Sequence, residues 1–380
     1  MRILIATGIF EPEGGGPATY APKLAALLVE KGWEVKVLTY SDKERYDNDT
    51  AYPFKLIRIV RSGKVFNRIK FFFAVLNYAR GCDLIYSFDW FAAGLPLAIA
   101  AKLIGKKYIL RIGGDYAWEQ KYLESSHPPI PLSDFYERGV YLRHGSRTLF
   151  RLIRWVLKGA AHVVFNSDIQ RDLYIRFFGL TSDATSVIYN PIPRLELKDI
   201  VRTKANHEFV FWGRFNKMKN VDSLVRAFAK ANISDSYTLV LIGNGPRWNI
   251  IENLVAELGI GSRVTMIRET HFPKIIERVK NCRAFIQPSW TDISPNQVYE
   301  ALAIGLPTLV TKQTYLPIRD KLPSMIDPNS VDDIAAKLEM LADNARYEEF
   351  SRQFNSITFD HDWDAVLAEH ISLFQKIARV

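Results

Sequence analysis

Cysteine is nearly missing from this chain. Cys82 and Cys282 are the only two, and they lie two hundred positions apart. A disulfide scaffold is excluded, a zinc cluster has no ligand set, and the two thiols read as inert groups in a reducing compartment. Long hydrophobic runs are missing too. The longest uncharged apolar run, Trp90 to Ala101, is interrupted by Pro96 and falls well short of the ~20 residues a membrane-spanning helix needs. The opening Met1-Arg2-Ile3-Leu4-Ile5-Ala6-Thr7-Gly8 holds too short an apolar run for a signal-peptide core and reads as a strand. Low-complexity and disorder-prone stretches are lacking as well. A soluble, cytoplasmic protein is expected, with peripheral attachment to the inner face of a membrane as a further expectation.

What is present is enough for large cores. Of 380 residues, 48% are apolar and 13% aromatic, and this length calls for two domains. Fifty Lys and Arg against 41 acids leave a net charge of +9. That excess favours anionic partners without choosing between nucleotides, nucleic acid and an anionic membrane.

Secondary structure alternates throughout. Arg2–Thr7 is a buried-type strand, followed by a glycine-rich loop, Glu13-Gly14-Gly15-Gly16-Pro17, a helix over Ala18–Lys31 and a strand over Trp33–Thr39. This is a βαβ unit with its loop at the carboxyl end of the first strand. Strands and helices go on alternating to Ser186–Tyr189, and Pro191 and Pro193 then mark a boundary. A second series runs from the strand Phe209–Gly213 to the helix Ala345–Phe354, and a terminal helix spans Trp363–Arg379. The fold expected is α/β, with two Rossmann-like, doubly wound parallel-sheet domains facing a cleft. The domains run over 1–193 and 194–358, and 359–380 form a helix that packs back on the first. Ligands of such sheets bind at the carboxyl-end loops, so the interdomain cleft is the expected site.

Two stretches carry chemistry. In Phe211-Trp212-Gly213-Arg214-Phe215-Asn216-Lys217-Met218-Lys219-Asn220, a strand ends in glycine and two cations stand five residues apart before a helix. Arg214 offers a planar fork and Lys219 a point charge, which together with the helix dipole suit a diphosphate. A solvated basic loop is the plainer alternative. In Pro288-Ser289-Trp290-Thr291-Asp292-Ile293-Ser294-Pro295-Asn296-Gln297-Val298-Tyr299-Glu300, a post-strand loop carries Asp292, and Glu300 follows eight residues later inside a helix. The helix begins near Pro295, which itself has no N–H, and the free amides around it, at Ser294 and Asn296, can hold phosphate, and Glu300 can accept from both hydroxyls of a ribose. Alternatively, Glu300 only complements the helix dipole.

These stretches resemble the retaining glycosyltransferases of family 4, which have the GT-B fold. Family members carry a glycine-arginine strand end with lysine five residues on, matched by Arg214 and Lys219. They also carry two acids separated by seven residues, matched by Asp292 and Glu300. The turn Gly243-Asn244-Gly245-Pro246 matches a further element, with Gly243 and Gly245 at the diphosphate. The Gly14–Pro17 loop matches another, with Gly15 and Gly16 approaching the diphosphate or the acceptor. The resemblance covers nearly the whole chain and is more specific in the second half. It implies transfer of a sugar from a nucleotide diphosphate sugar, UDP or GDP, to a sugar or lipid-linked acceptor hydroxyl, in cell-surface polysaccharide or glycolipid synthesis. It further implies a front-face reaction with retention, in which the leaving diphosphate helps deprotonate the acceptor and Arg214, Lys219 and loop amides stabilise its charge. No further cofactor and no metal are required. The stretch from Ile267 to Thr270 is expected near the base.

Two departures stand out. The first acid of the pair is Asp292 where the family has glutamate. The family histidine after an early strand of the first domain is replaced within Leu110-Arg111-Ile112-Gly113-Gly114-Asp115, and His127 and His144 do not match it. Asp115 either takes over a sugar-hydroxyl contact or caps the helix Tyr116–Tyr122. Asp360-His361-Asp362 resembles a metal-binding pair but precedes a helix, which favours capping.

A basic aromatic stretch raises a membrane expectation. Arg58, Arg61, Lys64, Arg68 and Lys70 surround Phe66, Phe71, Phe72 and Phe73, and Arg138, Arg143, Arg147, Arg151 and Arg154 follow. Such a surface can lie on anionic lipid, or it can be a core-facing phenylalanine stripe with a solvated cationic side. Three other functions compete. An NAD-dependent oxidoreductase is disfavoured because Gly14 to Thr19 lacks the third glycine of the fingerprint. A catalytically degenerate nucleotide- or carbohydrate-binding relative and a nucleotide-sugar epimerase share the donor residues. Nucleic-acid binding has no recognisable module behind it and is not expected.

Overall fold

The computed structural model describes residues 1–123, 125, 129–142, 146–193, 205–268 and 272–379. Two compact units divide them. Unit 1 comprises Met1–Ala117, Tyr136–Tyr189 and Asp364–Val380, and unit 2 comprises Trp118–Phe135 and Asn190–Trp363.

Unit 1 opens with β1 (Arg2–Thr7), α1 (Gly16–Glu30), β2 (Glu34–Ser41), β3 (Lys55–Val60), α2 (Lys64–Tyr78), β4 (Leu84–Ser87), α3 (Gly94–Leu103) and β5 (Tyr108–Ile112). The chain leaves through α4 (Tyr116–Leu123) and α5 (Leu132–Glu137), and resumes with α6 (Ser146–Gly159), β6 (His162–Phe165), α7 (Asp168–Phe178) and β7 (Thr185–Val187). All seven strands are parallel, in the order β3-β2-β1-β4-β5-β6-β7. The central strands are apolar because both faces are covered: Ile3, Leu4, Ile5 and Ala6 have no exposed surface. Right-handed crossovers place α1 on one face and α2, α3 and α6 on the other, where α2 packs on α3 and α3 on α6.

Unit 2 holds β8 (Glu208–Arg214), α8 (Val221–Lys230), β9 (Thr238–Asn244), α9 (Trp248–Glu257), β10 (Val264–Ile267), α10 (Phe272–Val279), β11 (Ala284–Gln287), α11 (Asn296–Ala303), β12 (Thr308–Thr311), β13 (Met325–Ile326), α12 (Val331–Ala342) and α13 (Asn344–Asn355). Its six parallel strands run β10-β9-β8-β11-β12-β13. In each sheet the strand order reverses at one place, between β1 and β4 and between β8 and β11, the kind of point at which open α/β sheets bind ligands.

Two segments join units from which sequence distance separates them. Residues 118–135 leave the 1–193 stretch for unit 2, burying Trp118, Tyr122, Leu132 and Phe135. The last helix, α14 (Trp363–Arg379), belongs to unit 1 from Asp364 on. Its Val366, His370 and Phe374 are fully buried, and the Phe374 ring lies 5.0 Å from Tyr86 and 5.9 Å from Trp33. Among the described residues, no helix is long and apolar enough to cross a membrane.

Candidate functional site

The carboxyl ends of β8 and β9 meet through glycine. Gly213 pairs with Gly243 and Arg214 with Asn244. Gly213 and Gly243 have φ values of 144° and 139°, which L side chains rarely adopt. A Cβ on Gly243 would sit 2.0 Å from the Gly213 carbonyl oxygen, and one on Gly245 would sit 2.3 Å from that of Phe215. Only bare backbone allows this approach. The Phe215 amide donates to the Asn244 carbonyl at 2.8 Å, and the Arg247 amide to that of Phe215 at 3.0 Å. This frame leaves the Arg214 side chain exposed, with no ion pair among the described residues.

The next turn positions Lys219. The Asn216 side chain accepts from the Lys219 amide at 3.1 Å. Asn220 takes a left-handed conformation, φ 53°, and its buried amide group donates to Pro288 O at 3.1 Å and Pro328 O at 2.9 Å. Those two bonds offset the strain of a positive φ outside glycine. Lys219 Nζ then reaches Asp292 Oδ1 at 2.7 Å, with side chains 17% and 8% exposed. Asp292 Oδ2 accepts from Gln287 Nε2 at 2.8 Å. The Asp292 backbone is held on both sides, its amide donating to Gln313 O at 3.1 Å and its carbonyl accepting from the Tyr315 amide at 2.8 Å. The sequence reading set Lys219 at a diphosphate and Asp292 in an acid pair with Glu300. The structure joins Lys219 to Asp292 and adds Gln287, which lies in an apolar strand and carried no motif. Gln287 Oε1, Ser289 Oγ and Thr314 Oγ1 are buried nearby without a partner among the described residues, so hydrogen-bonding capacity is left over around Asp292.

Leu132 and Ser125 brace the same loops. The Leu132 amide donates to Thr291 Oγ1 at 3.1 Å, beside Asp292, and Lys217 Nζ donates to the Ser125 carbonyl.

Helix α11 starts from Pro295, which offers no side-chain cap, so its first amides lack a side-chain partner from that residue. Asn190 Nδ2 donates to Asn296 Oδ1 at 2.8 Å and to Ser294 O at 3.4 Å, which ties the start of the second segment of unit 2 to this turn. Gln297 Nε2 lies 3.6 Å from where a Cβ on Gly213 would be, so α11 begins against the glycine end of β8. One turn in, Glu300 Oε2 accepts from the Trp212 indole N–H at 2.7 Å. Burial pushes the Glu300 carboxyl up to about 7, against the lowering effect of that indole bond.

Ile267 is half-buried at the end of β10, and Glu269 and Thr270 lie outside the described residues. Arg268, in the same stretch, joins a stacked group whose other members the sequence did not reveal. The Arg268 guanidinium lies 4.1 Å from the Trp248 ring centroid, Trp248 stacks on Phe215 at 5.4 Å and 11°, and Arg268 Nη1 donates to Asn244 Oδ1 at 3.2 Å. A flat, stacked cationic edge thus borders the Gly243–Gly245 turn. The sequence set Arg268 in the stretch expected near the base, but gave no sign that Trp248, directly after Gly245-Pro246-Arg247, would stack with it.

In unit 1, Gly15 precedes α1 with φ 143°, and a Cβ there would meet the Ile9 side chain at 2.7 Å, whereas Gly16 stands in open space. The loop is fastened by Arg61, which donates to both Glu13 oxygens at 3.0 and 2.8 Å and to Asp42 at 2.9 Å. Arg58 pairs with Asp49 at 2.7 Å and donates to Glu11 O at 2.7 Å. These two arginines therefore leave the basic aromatic stretch for an internal network.

The sugar contact expected of Asp115 is corrected. Asp115 has no exposed surface, and its Oδ2 accepts from the Tyr136 hydroxyl at 2.6 Å and the Tyr174 hydroxyl at 2.9 Å. A carboxylate committed to two buried phenols organises the turn after β5 and does not present itself to a ligand. His127, His144 and Arg143 lie outside the described residues. Among the described residues, no group of three or more His, Cys, Asp or Glu side chains is placed to hold a metal ion.

Comparisons with known proteins place these two halves. Residues 14–194 match the family described as Glycosyltransferase Family 4, and residues 195–356 match the one described as Glycosyl transferases group 1. An uncharacterized glycosyltransferase of Methanocaldococcus jannaschii is 20% identical over 99% of this chain and 98% of its own length. The O-antigen chain mannosyltransferase of Salmonella typhimurium is 24% identical over 48% of this chain and 49% of its own. Among solved structures, Anabaena HepE in complex with UDP and glucose superposes with a TM-score of 0.75 at 16% identity, covering 99% of this chain and all of that one (100%). The two parallel-sheet units together with this likeness give the GT-B fold.

Proposed function

This chain belongs to the group 1, family 4 glycosyltransferases, and we propose that it moves a sugar from a nucleotide diphosphate sugar to an acceptor hydroxyl with retention of anomeric configuration. The observation that carries the proposal is the grouping at the carboxyl end of β8. Arg214 is exposed and without an ion pair among the described residues, the start of α11 lacks a side-chain cap, and Lys219 and Glu300 stand on the flanking elements. In this reading Arg214, the α11 amides and the Gly243 and Gly245 turn take the diphosphate. Glu300 takes the ribose, the donor sugar lies toward Asp292, and Ile267 borders the base. Lys219 neutralises diphosphate charge as the glycosidic bond breaks, and Asp292 keeps the cation in place until then. The departing phosphate accepts the proton of the acceptor hydroxyl, so no protein nucleophile is needed.

Unit 2 is thus the donor unit and unit 1 the acceptor unit, with Gly15 and Gly16 at the acceptor. UDP is supported by the complex of HepE, with GDP the other base considered. A saccharide or lipid-linked acceptor in surface polysaccharide or glycolipid synthesis is supported by the O-antigen relative. The same reading places the chain in the cytoplasm, in peripheral contact with an anionic membrane.

Thermal shift against UDP, GDP, ADP, their sugars, NAD and NADP tests the site. One nucleoside diphosphate should raise the midpoint by mass action, and Arg214→Ala should abolish that rise. With the donor so identified, Arg214→Ala should lower turnover by about a hundredfold, or ~3 kcal/mol of transition-state stabilisation. Stabilisation by NAD alone, or an undiminished response in Arg214→Ala, would overturn the assignment. Nucleotide binding without hydrolysis or transfer would point to a degenerate binding relative.

A further inference from the structure

The helical layer on one face of unit 1 is unusual in both charge and exposure. Helices α2, α3 and α6 together contain no Asp or Glu, and the exposed acids of the next helix, Asp168 and Asp172 of α7, pair with Arg171. A solvated face normally mixes both signs. On α2, Val65 and Phe66 are each 65% exposed, Phe73 61% and Ile69 46%. At 100° per residue these four fall within one 100° sector, so they form a stripe and not a scatter. Phe71, on the other side of the helix, is fully buried, so the phenylalanine run serves core and surface at once. On the neighbouring α3, Ile99 and Leu103 point outward, 42% and 68% exposed. On α6, Trp155 is 42% exposed and lies 5.9 Å from the Lys102 ammonium of α3.

Beside this apolar surface runs a row of cations. Arg147, Arg151, Arg154 and Lys158 are all exposed and fall within 60° of one another around α6. None makes an ion pair among the described residues. Arg154 and Lys158 lean toward Gly179 at the end of α7, where they also complement a helix C-terminus. Arg147 and Arg151 have no such second use.

We propose that the α2–α3–α6 face of unit 1 is the surface on which this protein docks to an anionic lipid bilayer. The apolar stripe enters the headgroup region, and the α6 row meets lipid phosphates. The charge decides the occupant. Three helices without an acid, carrying an arginine row that has no ion pair among the described residues, repel a second copy of themselves, because the same cations would meet, whereas an anionic headgroup layer complements them. Exposed aromatics and aliphatics next to cations are what interfacial binding requires. The inference specifies the membrane contact of the reading above and is independent of the transfer chemistry, since vesicle binding needs no donor.

The test is co-sedimentation of the full chain with phosphatidylcholine vesicles, with and without phosphatidylglycerol, at low and high salt. Binding is expected to need the anionic lipid and to weaken with salt. Arg147→Gln with Arg151→Gln should lower partitioning by about tenfold or more, and Phe66→Gln with Phe73→Gln should do so by a similar factor. All four side chains are exposed, so unchanged melting midpoints are expected to accompany the loss. Lys23→Gln with Lys31→Gln, on and just after α1 across the sheet, should leave binding intact. Absence of binding to anionic vesicles overturns the proposal. So does binding that the α1 pair reduces as much as the α6 pair, which would reflect diffuse net charge. So does a concentration-dependent dimer that Phe66→Gln with Phe73→Gln dissociates.

Discussion

Glu300 illustrates what a single buried acid does to a site. Its carboxyl is pushed up to about 7 from an ordinary 4.5 by burial. The folded chain therefore holds a proton between those values that the unfolded chain has lost. Stability falls as pH rises through this window, by about 3 kcal/mol in all for a shift of this size. Glu300→Gln cannot ionise, and its amide oxygen can still accept from Trp212. The variant should melt close to the parent near pH 4.5 and several degrees above it at pH 8, as scanning calorimetry at the two pH values would show. The same substitution removes an acceptor that the proposed ribose contact uses, so nucleotide-dependent stabilisation should fall while intrinsic stability rises. Opposite signs separate a ligand-facing carboxylate from one that only complements a helix. The sequence brought Arg214, Lys219, Asp292 and Glu300 forward because motif spacing is local. It said nothing of the 2.7 Å Lys219–Asp292 pair, whose partners follow different strands, β8 and β11, or of Gln287, which closes an apolar strand and belongs to no motif. Asp115 shows the reverse. Its position after a strand looked suited to a ligand, but the phenols of Tyr136 and Tyr174 that enclose it arrive from α5 and α7.

At the scale of elements, the turns after β8 and β9 are defined by backbone approach. Gly243 has φ 139°, and any Cβ there would lie 2.0 Å from a main-chain carbonyl. That neighbour is a paired strand and cannot swing aside as a flexible side chain would. Gly243→Ala should cost about 2–4 kcal/mol and should also abolish the thermal response to nucleotide. A variant melting within a degree of the parent would show that the two strand ends can separate. Apolar runs and glycine stops sufficed to read most strands and helices to within one or two residues. Elements without such a pattern went unread. Met325–Ile326 is too short to show one, and Leu132–Glu137 is a single helical stretch in a proline-flanked loop. Periodicity also could not say which side of α2 faces water, because Phe66, Phe71, Phe72 and Phe73 leave few polar positions to mark a surface.

At the scale of the molecule, α14 follows unit 2 in sequence and completes the core of unit 1. Phe374 has no exposed surface and touches rings from β4 and from the turn before β2. The Tyr86 hydroxyl lies 2.9 Å from His370 Nε2 in the same packing. Phe374→Ala should cost about 3–5 kcal/mol and lower the midpoint of thermal unfolding. A loss below 1 kcal/mol would mean that the helix adds little to the core. The sequence by itself determined the α/β alternation, the two parallel-sheet halves and the glycine and charge spacing after β8. Each of these is written in residues a few positions apart, within reach of one turn or one strand. Tertiary structure alone decided that Lys219 is held by Asp292 across 73 positions, that Leu132 braces the Asp292 loop, and that Arg58 and Arg61 are neutralised by the acids of β1's loop and its neighbours. Those outcomes depend on strand order, which brings distant loop ends together, and neither propensity nor spacing along the chain encodes it.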